Sequence, residues 1–534
     1  MYFKPEDIYR EYTDGVTFKS SLGDKGMYEQ SRINERFYTG DQWYGARCGN
    51  DRPLVRHNII KRIGDFKMSQ VLSGPIAVRY SADGIAPTDD IGDRLRKKLS
   101  SDGNFKFTGD TDEGEISAVM TALNGYRKGT AERVGFEGLC GRALKKAYIS
   151  GSSVLYTYWD PDIKTGTYAD GKRHIPIKGD IGCEVLDIEN VYFGDPYLED
   201  VESQPYIILA SRKSVGEIKR EAKRWGADPY EIERIKADRD GKVLLLTRIY
   251  KEYGADGNCT VKCVKVTEHA VVRPEFDTKL HMYPIALFRW EERGNLIYGD
   301  SEVTYLIPNQ IAINRMITAG VWSAMSAGMP IMVVNGDTAP EDITNEPGQI
   351  IRVYGSNEDV SGAIRYVAPP DFGSAFDDGV NNLIENTLTQ SGANEVALGD
   401  STPDNATALI TMRSAATLPL RLIKIRFYDF VERVCRIWAD FWLTQYGCRR
   451  LRVEDKNGVW YMPFDTSRYA GIELTARIEA AAADEYSGAD IIDTLGDLFD
   501  RGVIDKRQYV SRLPEGVLPD REGLLKEIKE GNIE

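Results

Sequence analysis

The feature that most constrains this chain is a helical periodicity that runs on far longer than usual. Thr402-Pro403 supplies a helix start, with proline at the first helical position, where a missing N–H matters least. From there apolar side chains recur at Leu409, Met412, Ala416, Leu420, Ile423, Phe427, Val431, Val434, Trp438 and Phe441, and the pattern reaches Tyr446. At 1.5 Å per residue a helix over 404–446 would be about 65 Å long, with a kink expected at Pro419. The pattern keeps no strict heptad seam and contains that proline, which argues against a coiled coil. A helix this long within one subunit reads as a structural spine.

What precedes the spine is equally specific in its order. Asp300 or Ser301 can cap a helix running to about Gly328, apolar at Val303, Leu306, Ile307, Ile313, Ile317 and Val321, with a kink expected at Pro308. Pro330 ends that helix. Residues 331–370 then read as a small β module, with strands at Ile331–Val334, Gln349–Val353 and Ala363–Val367. A second helix spans Ser374–Ser391, with Ser374 and Asp377 as a capping box and Gly392 as its C′ residue. A polar loop, Gly392–Pro403, leads into the spine.

The N-terminal 300 residues read as a mixed α/β body. Helical patterns span Tyr28–Tyr38, Asn58–Val71 and Glu115–Ser150, and a short helix covers Val215–Arg224. Strands are expected at Ser153–Trp159, Ile181–Leu186, Tyr206–Ala210, Val243–Tyr250 and Thr260–Val266. The polar stretch 84–112 looks like an insertion. Beyond the spine come strands at Arg449–Val453 and Val459–Met462, then helices at Ala476–Glu485, Ala489–Arg501 and Lys506–Arg512. The fold class expected is α+β.

Charge is concentrated in one place. The chain of 534 residues has a formal net charge of −14, and residues 301–400 hold Arg315, Arg352 and Arg365 against 13 carboxylates. Such a balance argues against a broad basic face that grips nucleic acid. Seven scattered cysteines suggest a reducing compartment rather than a disulfide framework. Met316–Gly336 carries no formal charge, but its Thr, Ser and Gly content and Pro330 disfavour a membrane span.

Motifs for chemistry are weak. Gly166 to Lys172 has the spacing of a phosphate-binding loop, yet Arg173 stands where the magnesium-holding Ser/Thr belongs, and strands flank it. Cys259 and Cys263 share one strand with only His269 nearby, short of a zinc site. Nothing points to an enzyme, a cofactor or a metal.

Several stretches, in collinear order, resemble one family. They are Glu35-Arg-Phe-Tyr-Thr-Gly-Asp-Gln-Trp43, Arg56-His-Asn-Ile-Ile-Lys61 and Ile188-Glu-Asn-Val-Tyr-Phe-Gly-Asp-Pro196. Most specific is Tyr298-Gly-Asp-Ser-Glu302 running into Leu306-Ile-Pro-Asn-Gln310 and Ile313-Asn314. Leu498-Phe-Asp-Arg-Gly-Val-Ile504 to Leu513-Pro514 completes the set. Together with the element order, these resemble the portal proteins of tailed double-stranded-DNA bacteriophages.

The resemblance implies a ring, usually of twelve subunits, at one capsid vertex of the virion, assembled in the host cytoplasm. DNA would be packaged and ejected through its channel, with terminase, major capsid protein and a head–tail adaptor as partners and no membrane. It implies a wing over 1–300, stem helices over 301–330 and 371–391 and a clip over 331–370. A tunnel loop over 392–403, the spine over 404–446, a wing β segment over 447–475 and a helical crown over 476–534 would follow. On that reading Asp377, Asp378, Glu385 and Glu395 face either the channel or the outer solvent. The loop residues Asn394, Glu395, Ser401 and Asn405 either line the channel and touch DNA directly or belong to a disordered connector. Arg352 and Arg365 contact either DNA phosphate or a neighbouring subunit. Asp337, Glu341, Asp342, Glu358 and Asp359 are expected to meet terminase or the adaptor. The rival classes are a nucleic-acid-processing enzyme such as the packaging ATPase, and an adaptor that forms no ring.

Overall fold

A computed structural model describes residues 4–43, 54–73, 76, 78–80, 112–170, 175–238, 240–254, 259–327, 331–334, 364–367, 374–393, 418–455, 458–466, 476–478, 492, 495–513 and 524. Local chemistry sets the first helices, α1 (Pro5–Ser21), α2 (Gly26–Thr39) and α3 (Ile59–Val71). Gly40 closes α2 in the left-handed conformation, and the Asn58 side chain accepts from the Lys61 N–H at the head of α3. A short strand β1 (Val78–Tyr80) precedes α4 (Asp112–Val134) and α5 (Phe136–Ser150). Periodicity alone predicts one helix over 115–150. Gly135, at φ 63°, divides it.

Two sheets follow. β2 (Ser152–Asp170) pairs antiparallel with β3 (Ile175–Asp187) on one side and with β9 (Ile285–Arg289) on the other. The second sheet is an antiparallel meander in the order β4 (Val191–Phe193), β5 (Ile207–Ser214), β6 (Lys242–Tyr253), β7 (Cys259–Val266) and β8 (Val271–Asp277). Between β5 and β6 lie α6 (Val215–Arg224), with the bounds expected from its pattern, and α7 (Pro229–Arg234).

Next come α8 (Glu302–Ala327), β10 (Ile331–Val334), β11 (Ile364–Val367) and α9 (Ser374–Gln390). β10 and β11 pair antiparallel, Ile331 opposite Val367 and Val334 opposite Ile364. α8 continues through Pro308 as a single helix. The long helix, α10 (Arg421–Gln445), buries Phe427, Phe430, Val434, Trp438 and Trp442 in the main core, against Phe288 and Trp290 from the end of β9. Fully burying side chains of this size contributes about 1.5–3 kcal/mol each.

The spine expected over 404–446 is described from Leu418 onward: Leu418–Leu420 form a 3-10 turn that holds Pro419, and the α-helix spans Arg421–Gln445. Proline lacks the N–H that an interior turn uses, so regular α-helical bonding is not carried through it. Residues 404–417 lie outside the described residues. The Ala476–Glu485 helix needs correction. Ala476–Ile478 form a strand, β14, paired with β1 through Val78–Ile478 and Tyr80–Ala476. The partner strand overrides a sequence of good helix formers.

After α10, β12 (Cys448–Asp455) and β13 (Gly458–Asp465) pair as a hairpin near the expected positions. The C-terminal part packs a small core of its own, Leu495, Ile504 and Leu513, and α11 (Lys506–Arg512) starts from an Asp505/Gln508 capping box. The 84–111 stretch lies outside the described residues. No described helix is long and apolar enough to cross a membrane.

Candidate functional site

The most specific stretch of the sequence builds the root of α8. Gly299 sits where any side chain would collide, since a Cβ there would lie 2.5 Å from the Glu291 carbonyl oxygen and 2.7 Å from that of Gly151. Ser301 Oγ accepts from the Val303 N–H at 3.2 Å and donates to the Tyr148 carbonyl at 2.6 Å, capping the helix and tying it to α5. Glu302, in the first turn, takes Lys67 Nζ at 2.6 Å and Trp290 Nε1–H at 3.0 Å, and both charged side chains are more than nine-tenths buried. The positive end of the helix favours this carboxylate. Burial pushes the neighbouring Glu291 carboxyl upward, and the Glu302 charge adds to it.

About two and three turns further along, Gln310 and Asn314 do the work of a cap for another helix. Gln310 Oε1 accepts from the N–H groups of Ile59 (2.9 Å) and Ile60 (3.3 Å), at the start of α3. Its amide nitrogen donates to the His57 carbonyl at 2.6 Å and to Asn314 Oδ1 at 3.0 Å. Asn314 Oδ1 accepts from the His57 N–H at 3.0 Å, and Asn314 Nδ2 donates to Gln42 Oε1 at 2.6 Å. Both amides are buried and satisfied. Networks of this kind fix one geometry because any slip leaves donors unpaired in a dry interior.

From this root α8 and α9 pack antiparallel. Asn309 Nδ2 donates to Thr387 Oγ1 at 3.2 Å near one end. At the other end Gly320 lies against Phe376, where a Cβ would stand 3.2 Å from the ring. α9 ends as its sequence foretells, on Gly392 at φ 77°, with the Ala393 N–H bonded to the Leu388 carbonyl at 3.0 Å. The α8–β10–β11–α9 unit is therefore a helix pair with a β pair between its helices in sequence.

The solvent face of α9 carries the functional candidates. Asp377, Asp378, Asn381, Asn382, Glu385 and Asn386 are all exposed and fall on one face at helical spacing. The helix contains no lysine or arginine, and Asp377, Asp378 and Glu385 have no ion-pair partner among the described residues. Such a face repels phosphate and offers it hydrogen bonds only through amides. Arg365 lies in β11 opposite Val333. Asp337, Glu341, Asp342, Arg352, Glu358, Asp359, Asn394, Glu395, Ser401 and Asn405 lie outside the described residues, as do loop residues 394–403.

The weaker motifs resolve into ordinary structure. The stretch from Gly166 begins near the end of β2, and the next element is β3, its antiparallel partner. Cys263 is buried in β7, where burial pushes its thiol up to about 11, and Cys259 Sγ contacts the His281 carbonyl at 3.2 Å. Among the described residues, no three His, Cys, Asp or Glu side chains group to hold a metal ion.

The roles of Lys67, Glu302, Gln310 and Asn314 escaped sequence reasoning. A signal existed for the last two, since Gln310 and Asn314 fall in phase with the apolar positions Val303, Leu306, Ile313 and Ile317. A polar side chain on the core phase of a helix needs a buried partner.

No family model and no curated protein sequence matches the chain. Among solved structures, a chain described as "Virion of native gene transfer agent (GTA) particle" aligns over 94% of this chain and 98% of its own, at 11% identity and a TM-score of 0.38.

Proposed function

We propose that this protein is a virion structural subunit, the portal subunit of a tailed-phage-like particle. Copies form a ring at one capsid vertex, through which double-stranded DNA enters and leaves. The observation that carries the reading is the α8–β10–β11–α9 unit, a rooted helix pair flanking a small β module, with an acid-and-amide face on α9. The sequence resemblance from Glu35 to Pro514 supports the same conclusion. In this role the protein is not an enzyme. Terminase, the major capsid protein and a head–tail adaptor are its partners.

The mechanism follows from counterion physics. A channel lined with Lys and Arg would release counterions and hold DNA tightly, which stalls transport. On this reading the carboxylates Asp377, Asp378 and Glu385, repeated around the ring, keep the duplex central and loose. The buried root at Glu302, Gln310 and Asn314 holds each helix pair at a fixed angle to the body, so that the faces of all copies line up.

Electron microscopy of the purified protein tests the assembly. The expected image is a ring with a hole about as wide as a DNA duplex, whereas a persistent monomer with ATPase activity overturns the proposal. Replacing two carboxylates of the face, Asp378→Lys with Glu385→Lys, is expected to slow packaging in assembled particles. Packaging at the wild-type rate would remove the electrostatic part of the mechanism.

A further inference from the structure

We propose that the exposed face of α6, together with the β2–β3 arm beside it, is a docking surface for the phosphate backbone of duplex DNA, separate from the channel. The surface goes beyond the portal reading and does not depend on it.

α6 turns Ile218 and Ala222 into a small core and leaves Arg220, Lys223 and Arg224 exposed, with Lys219 half-buried at their side. Its own carboxylates are engaged elsewhere. Glu217 closes the capping box on Ser214, and Glu221 binds Lys265 on β7 at 2.5 Å and Lys213 on β5 at 3.9 Å. Lys219, Arg220 and Lys223 consequently have no carboxylate within ion-pair reach among the described residues.

The arm extends the same surface. Arg224 forks onto Asp162 of β2 through bonds of 2.6 and 3.0 Å, which fixes the helix against the arm. Just beyond Asp162, Lys164 on β2 stands directly opposite Lys178 on β3, both exposed and neither ion-paired among the described residues. Like charges facing each other across a strand pair destabilise it, so this pair has no stabilising role in the arm. The Arg224 bonds hold the Asp162 carboxyl below its ordinary range, and the Lys178 charge also acts on it. Asp162, the carboxylate that meets Arg224, is therefore offset from two sides.

The chemistry favours phosphate over a protein partner. A protein interface needs an apolar centre, and this patch exposes no large aliphatic side chain. Its one large apolar group, Trp225 at the end of α6, is 37% exposed and lies 3.5 Å from the Arg273 guanidinium on its other side. The arginine-rich cleft beside α10 makes the contrast. There Arg433 binds Glu202, Arg436 binds Glu432, Arg289 binds Glu292, and Arg426 binds the Trp290 carbonyl. Those guanidiniums are already engaged, whereas Lys219, Arg220 and Lys223 of α6 and Lys164 and Lys178 of the arm have no carboxylate in ion-pair reach among the described residues.

The test is binding of a labelled linear duplex to the full-length protein, followed by fluorescence anisotropy across a salt titration. The patch variant is Arg220→Glu with Lys223→Glu, and the charge-matched control is Lys128→Glu with Arg142→Glu, also exposed. Each phosphate contact contributes about −0.9 to the slope of log affinity against log salt, so the patch variant flattens the slope by about 2. Its affinity falls at least about tenfold at low salt, while the control binds like the wild type. Arg220→Gln with Lys223→Gln gives an intermediate loss, and unchanged melting temperatures show that all variants fold. A closed circular duplex cannot thread a channel, and it is expected to compete as well as the linear one. Equal binding by the patch variant and the control overturns the proposal, as does failure of the closed circle to compete. Displacement of DNA by polyglutamate at equal charge overturns it in favour of an acidic protein partner.

Discussion

Two amphipathic helices on this molecule share a construction and differ in the sign of what they show to water. α9 packs Val380 and Leu388 inward and presents Asp377, Asp378 and Glu385 outward, with no cation in its length. α6 packs Ile218 and Ala222 inward and presents Arg220, Lys223 and Arg224, its two glutamates turned to other tasks. The buried faces make both helices fold, and neither buried face says anything about a ligand. The solvent faces do: one excludes a polyphosphate and the other attracts it. A chain of net charge −14 can thus carry a DNA-attracting surface, provided that it is local and its carboxylates are occupied.

The comparison breaks first at the root of the helix pair, where the largest effect is expected. Glu302→Ala leaves the buried Lys67 ammonium without its carboxylate and should lower the unfolding free energy by about 3–5 kcal/mol, measured by chemical denaturation. If α9 and α6 are independent surfaces, the folded fraction of that variant still binds DNA through α6 with the wild-type salt slope. Next in size is the Arg220→Glu, Lys223→Glu pair, with its loss of at least about tenfold in DNA affinity. The opposite change on α9 is smaller. Asp377→Lys with Asp378→Lys should raise the affinity of the isolated protein for duplex DNA by about threefold to tenfold at low salt, an effect that 0.3 M salt removes. No change in affinity would mean that this face does not meet DNA.

The smallest effect belongs to a charge pair on neither face and serves as a control. His281 Nδ1 lies 2.9 Å from Asp440 Oδ1, while Asp440 Oδ2 accepts from the N–H groups of His281 (2.7 Å) and Met282 (3.1 Å). The Asp440 hydrogen bond raises the imidazole above its ordinary value of 6.5. A raised folded-state value means that the stabilisation is fully present below pH 6.5 and disappears as pH rises through the folded-state value. The ring is 45% exposed, so solvent screening holds the contribution below about 1 kcal/mol. The melting temperature of His281→Gln should fall below wild type at pH 5.5 and approach it at pH 8.5, with DNA binding by α6 unaffected at either pH.

Much of the helix pair was legible in advance. The bounds of α6, the ends of α8 and α9, the strand Ile331–Val334 and the Gly392 terminator all stand within a residue or so of where caps, glycines and periodicity place them. The acidic, cation-free face of α9 could also be read from spacing alone. The function of the Leu306–Asn314 motif was not legible as chemistry. Its amides reach residues 42 and 57–60, some 250 positions away, and no local rule selects that partner. The cationic surface was equally hidden, because Lys164, Lys178 and Arg220 are brought to one side only when Arg224 meets Asp162.

By itself, then, the sequence determined what is local: which segments coil, where glycine and proline stop them, and which sign of charge each helix shows to water. Caps, propensities and side-chain periodicity act within a turn or two of chain, so they survive without knowledge of the fold. Tertiary structure decided which polar groups are buried together, which short segment became a strand beside β1, and which charges share a surface. Those outcomes depend on contacts between residues far apart in the chain, where the free energy of a buried amide or an unpaired lysine is set by whatever the fold places beside it.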